Sequence, residues 1–445
     1  MLDRPFTAGA VMLLLAGCAQ YQPDPLRPQE AWRAIERAGT GETAGQGMPP
    51  SFDFGDGLSI DEAVSLAMVM NPKLEAIRQE KKIARAQLSA AGLLPDPEVD
   101  VKWLAPLRGD ESAGEVDASF DIQALFLRGQ RRARARIRIE EVNWEVAEEE
   151  WRLASEVRRS YVDVLYWDLV VDKNAEQKGV LERLLEITRS RRAAGAGTEL
   201  DVVVVESEVA ELERERRRSE RERAQSLQDL NRLVGLGPDH QTRMEKTDDP
   251  LAHVAVTDDI AELSARVPSY RPDLRRAEQA YRGADQELLI AHRKSQVPPI
   301  EVGPSYERGE GEDFMGGHLS IEIPLFNRNK GEIATRTAER SKVRANYVSL
   351  LHQARAELNE AWNRLQRLDG DLRFYFSDVA PRLDRGLELT DKAFRAGELD
   401  LFKVLQVQRG VLLSRRQVLD ALREFHRARI DVEESVGPRP TGDAE

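Results

Sequence analysis

The sequence predicts a mainly helical protein, built as a tandem duplication, whose few β-strands are contributed to a membrane β-barrel shared by several copies of the chain. Three observations predict this fold class: a set of motifs that occurs twice, long proline-free stretches with apolar residues at helical spacing, and four segments of alternating apolar and charged residues. The composition agrees, because 32% charged and only 6% aromatic residues suit long solvated helices better than a thick globular core.

The N-terminus has the features of a bacterial lipoprotein signal. Residues 6–15 are mostly apolar and have about the length of a signal-peptide core, which is too short to cross a bilayer. Leu15-Ala16-Gly17-Cys18 follows and looks like a lipobox, in which Cys18 would be acylated and become the mature N-terminus. An ordinary secretory signal is the alternative. Ala19 resembles the pattern that sorts lipoproteins to the outer membrane.

Five motifs occur twice in the same order, about 200 residues apart. The pairs are Asn71–Ala76 with Arg271–Arg276, Leu94–Val99 with Val297–Val302, Leu125–Arg128 with Leu325–Arg328, Ala196–Asp201 with Ala396–Asp400, and Leu233–Gly235 with Ser435–Gly437. We therefore predict a signal peptide over 1–17, an acylated extended segment over 18–57, a first repeat over 58–237, a linker over 238–258, a second repeat over 259–437 and a tail over 438–445.

Each repeat is predicted to contain a helix, a β-hairpin, a long helix and a returning helix. In the long helix, Ala154, Val157, Tyr161 and Val164 form an apolar seam of the coiled-coil type. The predicted helices cover about 72–91, 128–194 and 199–233 in the first repeat and 272–295, 328–394 and 398–434 in the second. Pro381 lies inside one of them and is expected to kink it.

Four predicted strands, at about 98–104, 115–124, 300–307 and 317–324, alternate apolar with mostly acidic residues. Such alternation gives each strand one apolar and one charged face, which is typical of outer-membrane barrels; a half-buried sheet in a soluble domain is the alternative. Four strands cannot close a membrane barrel, so a dimer or a trimer is required. If the polar faces line a lumen, its carboxylates are Glu98, Asp100, Glu115, Asp117, Asp121, Glu301, Glu307 and Glu322. Such a lumen favours cations by its field, unless these faces are merely solvated.

From Leu58 to Gly437 the chain resembles the TolC-like outer membrane factors. The resemblance is carried by the duplicated Pro-Leu helix starts, the paired hairpins and the reversal turns Ala196-Gly197 and Ala396–Asp400. It implies a homotrimer with a 12-stranded barrel above an α-barrel that projects into the periplasm. It also implies a passive exit duct that works with a periplasmic adaptor and an inner-membrane pump, in contact with outer-membrane lipid. Phe394–Leu401, continuing to Arg409, looks most like the cobalt–zinc–cadmium resistance subgroup, which implies heavy-metal cations as substrates.

The resemblance also implies roles for residues of the reversal turns. The tips that contact the adaptor would contain Gly195, Gly197, Thr198, Arg395, Gly397 and Glu398. The best-known relative has paired aspartates at its periplasmic constriction. Val203, Glu206, Lys403 and Gln406 occupy those places here, so an acidic gate ring is absent or rebuilt.

Other function classes find little support in the residues. The net charge of −13 argues against nucleic-acid binding, and six scattered histidines at no ligand spacing argue against a bound metal. With no phosphate-binding loop and no catalytic constellation, we expect neither an enzyme nor a cofactor. The alternatives that remain are a type I secretion or drug-efflux duct of the same fold, a periplasmic adaptor and a coiled-coil scaffold lipoprotein.

Overall fold

Long antiparallel helices connect a four-stranded sheet at one end of the molecule with two helical hairpin tips at the other. The computed structural model describes residues 21–39, 57–105, 113–247, 249–309 and 312–438. Cys18 and the predicted signal peptide over 1–17 lie outside the described residues, as does the tail after residue 438.

Apart from a first helix, which precedes the first repeat, and a break in the long helix of the second, the two repeats contain the same elements in the same order. The first half comprises α1 (Pro28–Gly39), α2 (Ile60–Met70), α3 (Pro72–Ala91), β1 (Glu98–Leu104), β2 (Ala113–Asp121), α4 (Ile122–Ala193) and α5 (Glu199–Val234). The second comprises α6 (Ile260–Tyr270), α7 (Pro272–Gln296), β3 (Ile300–Gly309), β4 (Glu312–Ile321), α8 (Lys330–Phe374), a π-helical turn (Tyr375–Val379), α9 (Ala380–Arg395) and α10 (Leu401–Val436). With 72 residues, α4 is about 108 Å long at 1.5 Å per residue.

Several element boundaries differ from those predicted, for reasons visible in the capping residues. The strand predicted over 115–124 ends at Asp121, because the Asp121 carboxylate accepts a hydrogen bond from the Ala124 amide at 2.9 Å and begins α4. The last helix begins at Leu401 rather than at 398, because Asp400 caps it through the Lys403 amide. The strand predicted over 317–324 occupies Glu312–Ile321, where it pairs with β3 along its whole length.

The segment predicted to be extended over 18–57 contains a helix, α1. Pro28 occupies its first turn, where no amide donor is needed, and Glu30 provides the negative charge that a helix N-terminus favours. The predicted helices also did not include α2 and α6. The signal for α2 is present in the sequence, because Ser59 and Glu62 form a reciprocal capping box.

The kink expected at Pro381 takes the form of the π-helical turn Tyr375–Val379, which separates α8 from α9. Proline has no amide hydrogen, so Pro381 cannot donate to the carbonyl of Ser377, four residues earlier. A widened turn at this point keeps the helix continuous while one hydrogen bond of the regular ladder is missing.

The main core lies where the short helices of both repeats pack against the middle of the long ones. Leu66, Tyr166, Leu274 and Phe425 are among its fully buried members. Tyr161 donates a hydrogen bond to the Leu58 carbonyl at 2.8 Å, and burial raises the pKa of Tyr161 to about 12. A smaller cluster near the tips contains Leu181, Leu184, Val205, Leu212, Phe394, Val404 and Leu405.

The predicted linker over 238–258 is part of this core rather than a loose connection. Its Leu251 is 1% exposed, and Met244 pairs with Leu58 in an isolated parallel bridge. His253 donates through Nε2 to an Asp369 carboxylate oxygen of α8 at 2.8 Å. The connection between the repeats therefore fastens α4 and α8 at the level of the core.

Across the part of the chain that the structure describes, no helix combines the length and the apolar character needed to pass through a bilayer.

Candidate functional site

The four strands form one antiparallel sheet in the order β1-β2-β3-β4, and its register gathers the predicted carboxylates on one face. Asp100 lies opposite Asp117, and Asp117 lies opposite Ser305. Because residues directly opposite one another share a face, the charged positions of the strands lie side by side. Seven of the eight predicted carboxylates belong to this acidic face: Glu98, Asp100, Glu115, Asp117, Asp121, Glu301 and Glu307.

The eighth, Glu322, lies one residue beyond β4. Its amide donates to the Pro299 carbonyl at 3.1 Å, which extends the ladder by one step. The acidic face also holds Lys102, whose Nζ lies 2.9 Å from a Glu115 carboxylate oxygen. That ion pair leaves the carboxylates of this face well in excess of its cations.

The opposite face of the sheet is mostly apolar and exposed, with one ion pair, Arg308 and Asp313, where β3 turns into β4. Trp103 is 76% exposed and Leu319 is 63% exposed, although both are large hydrophobic side chains. The other exposed members of the apolar face are Val99, Val101, Val116, Phe120, Val302, Tyr306, Met315 and Ile321. In a half-buried sheet of a soluble domain the apolar face would be covered by other elements, which does not fit this surface.

The two outer strands, β1 and β4, each pair with only one neighbour within the described chain. Their free edges carry backbone donors and acceptors without strand partners, which is costly in an apolar environment. A sheet with one lipid-compatible face is therefore incomplete as a single copy.

The two hairpin tips share one backbone design. Gly195 and Gly397 have positive φ angles of 76° and 77°, a conformation that glycine adopts without strain. In the first tip the Ala196 amide donates to the Arg191 carbonyl, and in the second the Glu398 amide donates to the Ala393 carbonyl, both at 2.9 Å. These are the hydrogen bonds of a glycine-terminated helix end.

This geometry corrects the sequence alignment of the tips. The pairing of Ala196-Gly197 with Ala396-Gly397 was wrong, because the backbone matches Gly195 with Gly397. The capping residues agree, since Thr198 begins α5 and Asp400 begins α10. Thr198 and Asp201 form a capping box, and the hydrogen bonds from Thr198 lower the pKa of Asp201. Gly197 thus corresponds to Leu399, and only the backbone of Arg395 is described.

The residues predicted for the constriction do not form two equivalent pairs under this alignment. Lys403 corresponds to Asp201, and the counterpart of Glu206 is Gln408 rather than Gln406. Glu206 accepts a hydrogen bond from Arg189 at 2.7 Å, whereas Val203 is 47% exposed. Gln406 is also exposed, and Lys403 lies 3.9 Å from the Asp400 carboxylate.

Sequence reasoning missed the contact that joins the two hairpins near their tips. Arg409 of α10 donates through Nε to a Glu208 carboxylate oxygen of α5 at 3.0 Å. One residue before Arg409 on α10, Gln408 accepts a hydrogen bond from Gln177 at 3.2 Å. The first part of α5 carries several acidic residues, including Glu206, Glu208 and Glu211, so the residues alone did not single out Glu208 as the partner of Arg409.

Among the described residues, no group of three or more histidine, cysteine, aspartate or glutamate side chains could hold a metal ion. Two histidines have other partners: His240 contacts the Thr242 hydroxyl at 2.9 Å, and His253 contacts an Asp369 carboxylate oxygen at 2.8 Å. Burial lowers the pKa of His426. Met68 packs against the core.

A family model for outer membrane efflux proteins matches residues 264–438, which is nearly all of the second repeat. The structure is similar to that of CusC, a protein that forms a transmembrane channel. The TM-score is 0.72, with 19% identity over 85% of this chain and 92% of CusC. The chain has the fold of the outer-membrane efflux channels. The outer membrane protein VceC from Vibrio cholerae gives a TM-score of 0.70 and 16% identity over 85% of this chain and 96% of VceC. The outer membrane channel MtrE from Neisseria gonorrhoeae, in its open state, gives a TM-score of 0.68 and 15% identity over 88% of this chain and 98% of MtrE. No curated protein gave a significant match.

The resemblance to the TolC-like outer membrane factors is thereby confirmed, and the fold is of the α-barrel plus β-barrel type. In an outer-membrane efflux channel the sheet belongs to the β-barrel and the long helices belong to the α-barrel. The family consists of channels rather than enzymes, which agrees with the prediction from the sequence.

Proposed function

We propose that the chain is the outer-membrane channel of a tripartite efflux system and acts as a passive trimeric exit duct. The observation that carries the proposal is the sheet, which has an exposed apolar face, an acidic face and two unpaired edges. Three copies of a four-stranded sheet supply 12 strands. The free edge of β4 in one copy would pair with β1 of the next, so the closed barrel would have no edge in lipid.

In this arrangement the acidic face lines the lumen and the apolar face meets lipid. In each chain, seven predicted carboxylates lie on the acidic face together with one lysine, Lys102, which pairs with Glu115. The lumen field therefore favours cations over anions without a binding site. Heavy-metal cations are the substrates we propose, in agreement with the subgroup that the second tip resembles. Cationic drugs would respond to the same field, and the lumen does not distinguish them.

The tips form the periplasmic end of the proposed duct, and we assign them to the contact with the adaptor. Gly195, Gly197 and Thr198 belong to the first tip, and Arg395, Gly397 and Glu398 to the second. The pump in the inner membrane would supply the energy, because the sequence of the duct contains no glycine-rich phosphate-binding loop after a strand. Acylation of Cys18 would add a lipid anchor in the outer membrane.

The first experiment measures single-channel currents of the purified protein in a planar bilayer, together with its mass in detergent. Discrete cation-selective steps from a trimer are the expected result. The double variant Asp117→Asn, Glu301→Gln should shift the reversal potential toward that of an unselective pore. The matched control is Glu262→Gln, which removes one exposed carboxylate of α6, outside the sheet. A monomer without conductance would contradict the duct, and anion selectivity would contradict the cationic substrates.

The substrate class needs a cellular measurement. Deletion of the gene should raise the accumulation of zinc, cobalt or cadmium ions in cells exposed to them, and re-expression should restore efflux. Unchanged metal accumulation with increased retention of a cationic dye would favour the drug-efflux alternative.

A further inference from the structure

Helix α1 has two sides of opposite character. At 100° per residue, Ala31, Trp32 and Ile35 fall on one side, while Glu30 and Arg33 fall on the other. Trp32 is 65% exposed and Ile35 is 52% exposed. The apolar surface continues before the helix, where Tyr21 and Leu26 are more than four-fifths exposed.

Two polar contacts of α1 are made with residues of its own segment. The Trp32 indole donates through Nε1 to a Glu36 carboxylate oxygen at 2.7 Å, and Arg27 donates to Glu30 at 3.3 Å. The tryptophan ring therefore lies at the boundary between the two sides, with its nitrogen toward the polar side. Tryptophan in such a position is characteristic of helices at a membrane surface, where the ring is half in water and half in lipid.

Chain length sets how close α1 can come to the membrane. The chain rejoins the core at Gly57, next to Leu58, whose carbonyl is held by Tyr161. Tyr161 is 39 residues along α4 from the base of the sheet, which corresponds to about 58 Å. The 18 peptide units from Gly39 to Gly57 span at most about 61 Å. This length is just sufficient for α1 to reach the base of the barrel.

The other end of the helix is tied more closely. Pro28 follows Cys18 by ten residues, so an acylated Cys18 would keep α1 within about 35 Å of its lipid. Both lengths allow the exposed apolar side of α1 to lie near the periplasmic surface of the outer membrane, and an acylated Cys18 would keep it within reach of that surface. A lipid surface is the occupant that this position favours.

We propose that α1 lies in the plane of the periplasmic leaflet, with Trp32 and Ile35 inserted at the boundary between headgroups and acyl chains. The inference rests on the proposed function for the acylated Cys18 and for the barrel. The charged residues of α1, Glu30, Arg33, Glu36 and Arg37, sum to zero, so its binding depends on apolar area rather than on anionic lipid. The helix then adds a second contact with lipid beside the acyl group.

The test uses the full-length acylated protein in vesicles of phosphatidylethanolamine and phosphatidylglycerol. A spin label is attached at Ile35→Cys or Ala31→Cys on the apolar side, and at Glu30→Cys on the polar side as the matched control. In the acylated protein the introduced cysteine is the only free thiol, because Cys18 is the only native cysteine. The accessibility of each label to oxygen and to a water-soluble nickel chelate is then compared. We expect several-fold more access to oxygen than to nickel at 31 and 35, and the reverse at 30.

Two results would overturn the proposal. Equal access to the nickel chelate at all three positions would place α1 in water. Protection of positions 31 and 35 from both reagents would show that protein covers the apolar side, whether a second copy or the same chain. The mass of the N-terminal peptide reports acylation of Cys18 separately, and conductance reports the barrel separately. If Cys18 is unmodified, the same labels are read in a Cys18→Ser background, where lipid contact would support the helix without the acyl group.

Discussion

The side-chain amide of Asn71 donates a hydrogen bond to the main-chain carbonyl of Leu233 at 2.8 Å. Its other atom, Oδ1, accepts from the Leu74 amide at 3.0 Å and caps α3. One side chain thus begins a helix of the first repeat and holds the last turn of α5. Arg271 has the same position in the second repeat and donates to the Ser435 carbonyl at 3.4 Å. The duplication has kept the contact and changed the residue that makes it.

We expect Asn71→Ala to lower the free energy of unfolding by about 1–3 kcal/mol, because a helix cap and a buried hydrogen bond are lost together. Thermal unfolding of the protein in detergent measures the change. Asn71→Asp keeps the capping oxygen and loses only the donor, so its loss of stability should be intermediate. Equal losses for both variants would show that the cap contributes nothing.

Gly235 and Gly437 end the returning helices with φ angles of 82° and 99°. A Cβ atom at 235 would lie 2.4 Å from the Met70 carbonyl oxygen, and one at 437 would lie 2.7 Å from that of Tyr270. Alanine at either site should lower the free energy of unfolding by more than about 1 kcal/mol, because the strain of a positive φ angle and the steric overlap of the Cβ atom add. Gly386→Ala in α9, which meets open space, is the control and should leave the unfolding temperature unchanged or higher. A loss as large in the control would contradict the argument.

Val101 and Asp100 are neighbours on opposite faces of β1, at nearly the same depth. If the apolar face meets lipid, Val101→Lys should destabilise the barrel by about 2–4 kcal/mol when it lies near the bilayer centre. Asp100→Lys places the same charge on the lumen side and should assemble normally. The amount of heat-resistant oligomer in outer-membrane fractions compares the two variants. Equal assembly of both would argue against a lipid-facing apolar surface.

His426 is expected to make stability depend on pH. Burial lowers its pKa, and the neighbouring Arg429 acts in the same direction, whereas Asp249 and the backbone groups of Leu251 and Ala252 oppose the shift. The folded state therefore binds a proton less readily than the unfolded state does. The contribution of His426 to the free energy of unfolding is fully present above its unfolded pKa of about 6.5. As the pH falls below that value, the contribution decreases by up to about 1.4 kcal/mol per pH unit.

The measurement is the unfolding temperature at about pH 7.5 and about pH 5.5, across the range where histidine titrates. His426→Gln should show a smaller decrease than the unchanged protein. Burial raises the pKa of Asp163 and of Glu148, which opposes the trend, but both are present in each protein and cancel in the comparison. His352→Gln, at an exposed site, is the control and should behave like the unchanged protein.

Residue patterns predicted the two faces of the sheet because strand alternation depends only on the order of residues along the chain. Element ends depended on single side chains. Asp121 continues the alternation of β2 and also caps α4. Only the folded chain shows that the strand ends and the helix begins at this residue. The beginning of β4 was missed because Gly316 and Gly317 interrupt its alternation. Pairing with β3, rather than its own composition, makes that segment a strand.

The tips show a different limit. Identical letters aligned Gly197 with Gly397, whereas the backbone requires glycine at 195 and 397, where φ is positive. A comparison of the residues alone does not show which of two glycines adopts the positive φ angle of the turn. The pair Glu208 and Arg409 was out of reach for a related reason, since it depends on how two hairpins lie against each other. The pair Arg189 and Glu206 depends on how the two helices of the first hairpin pack.

The two tips share a backbone but not a surface. The first presents Ala196 and Thr198, and the second presents Glu398 and Asp400 at the matching places. In the proposed trimer, tips with Ala196 and Thr198 therefore alternate around the rim with tips that carry Glu398 and Asp400, three of each. A ring of six identical partner subunits would meet two different neighbours in turn, and its members could not all dock equally. The docking rim would have threefold symmetry, so pairs of partner subunits, rather than single ones, would be the unit of assembly.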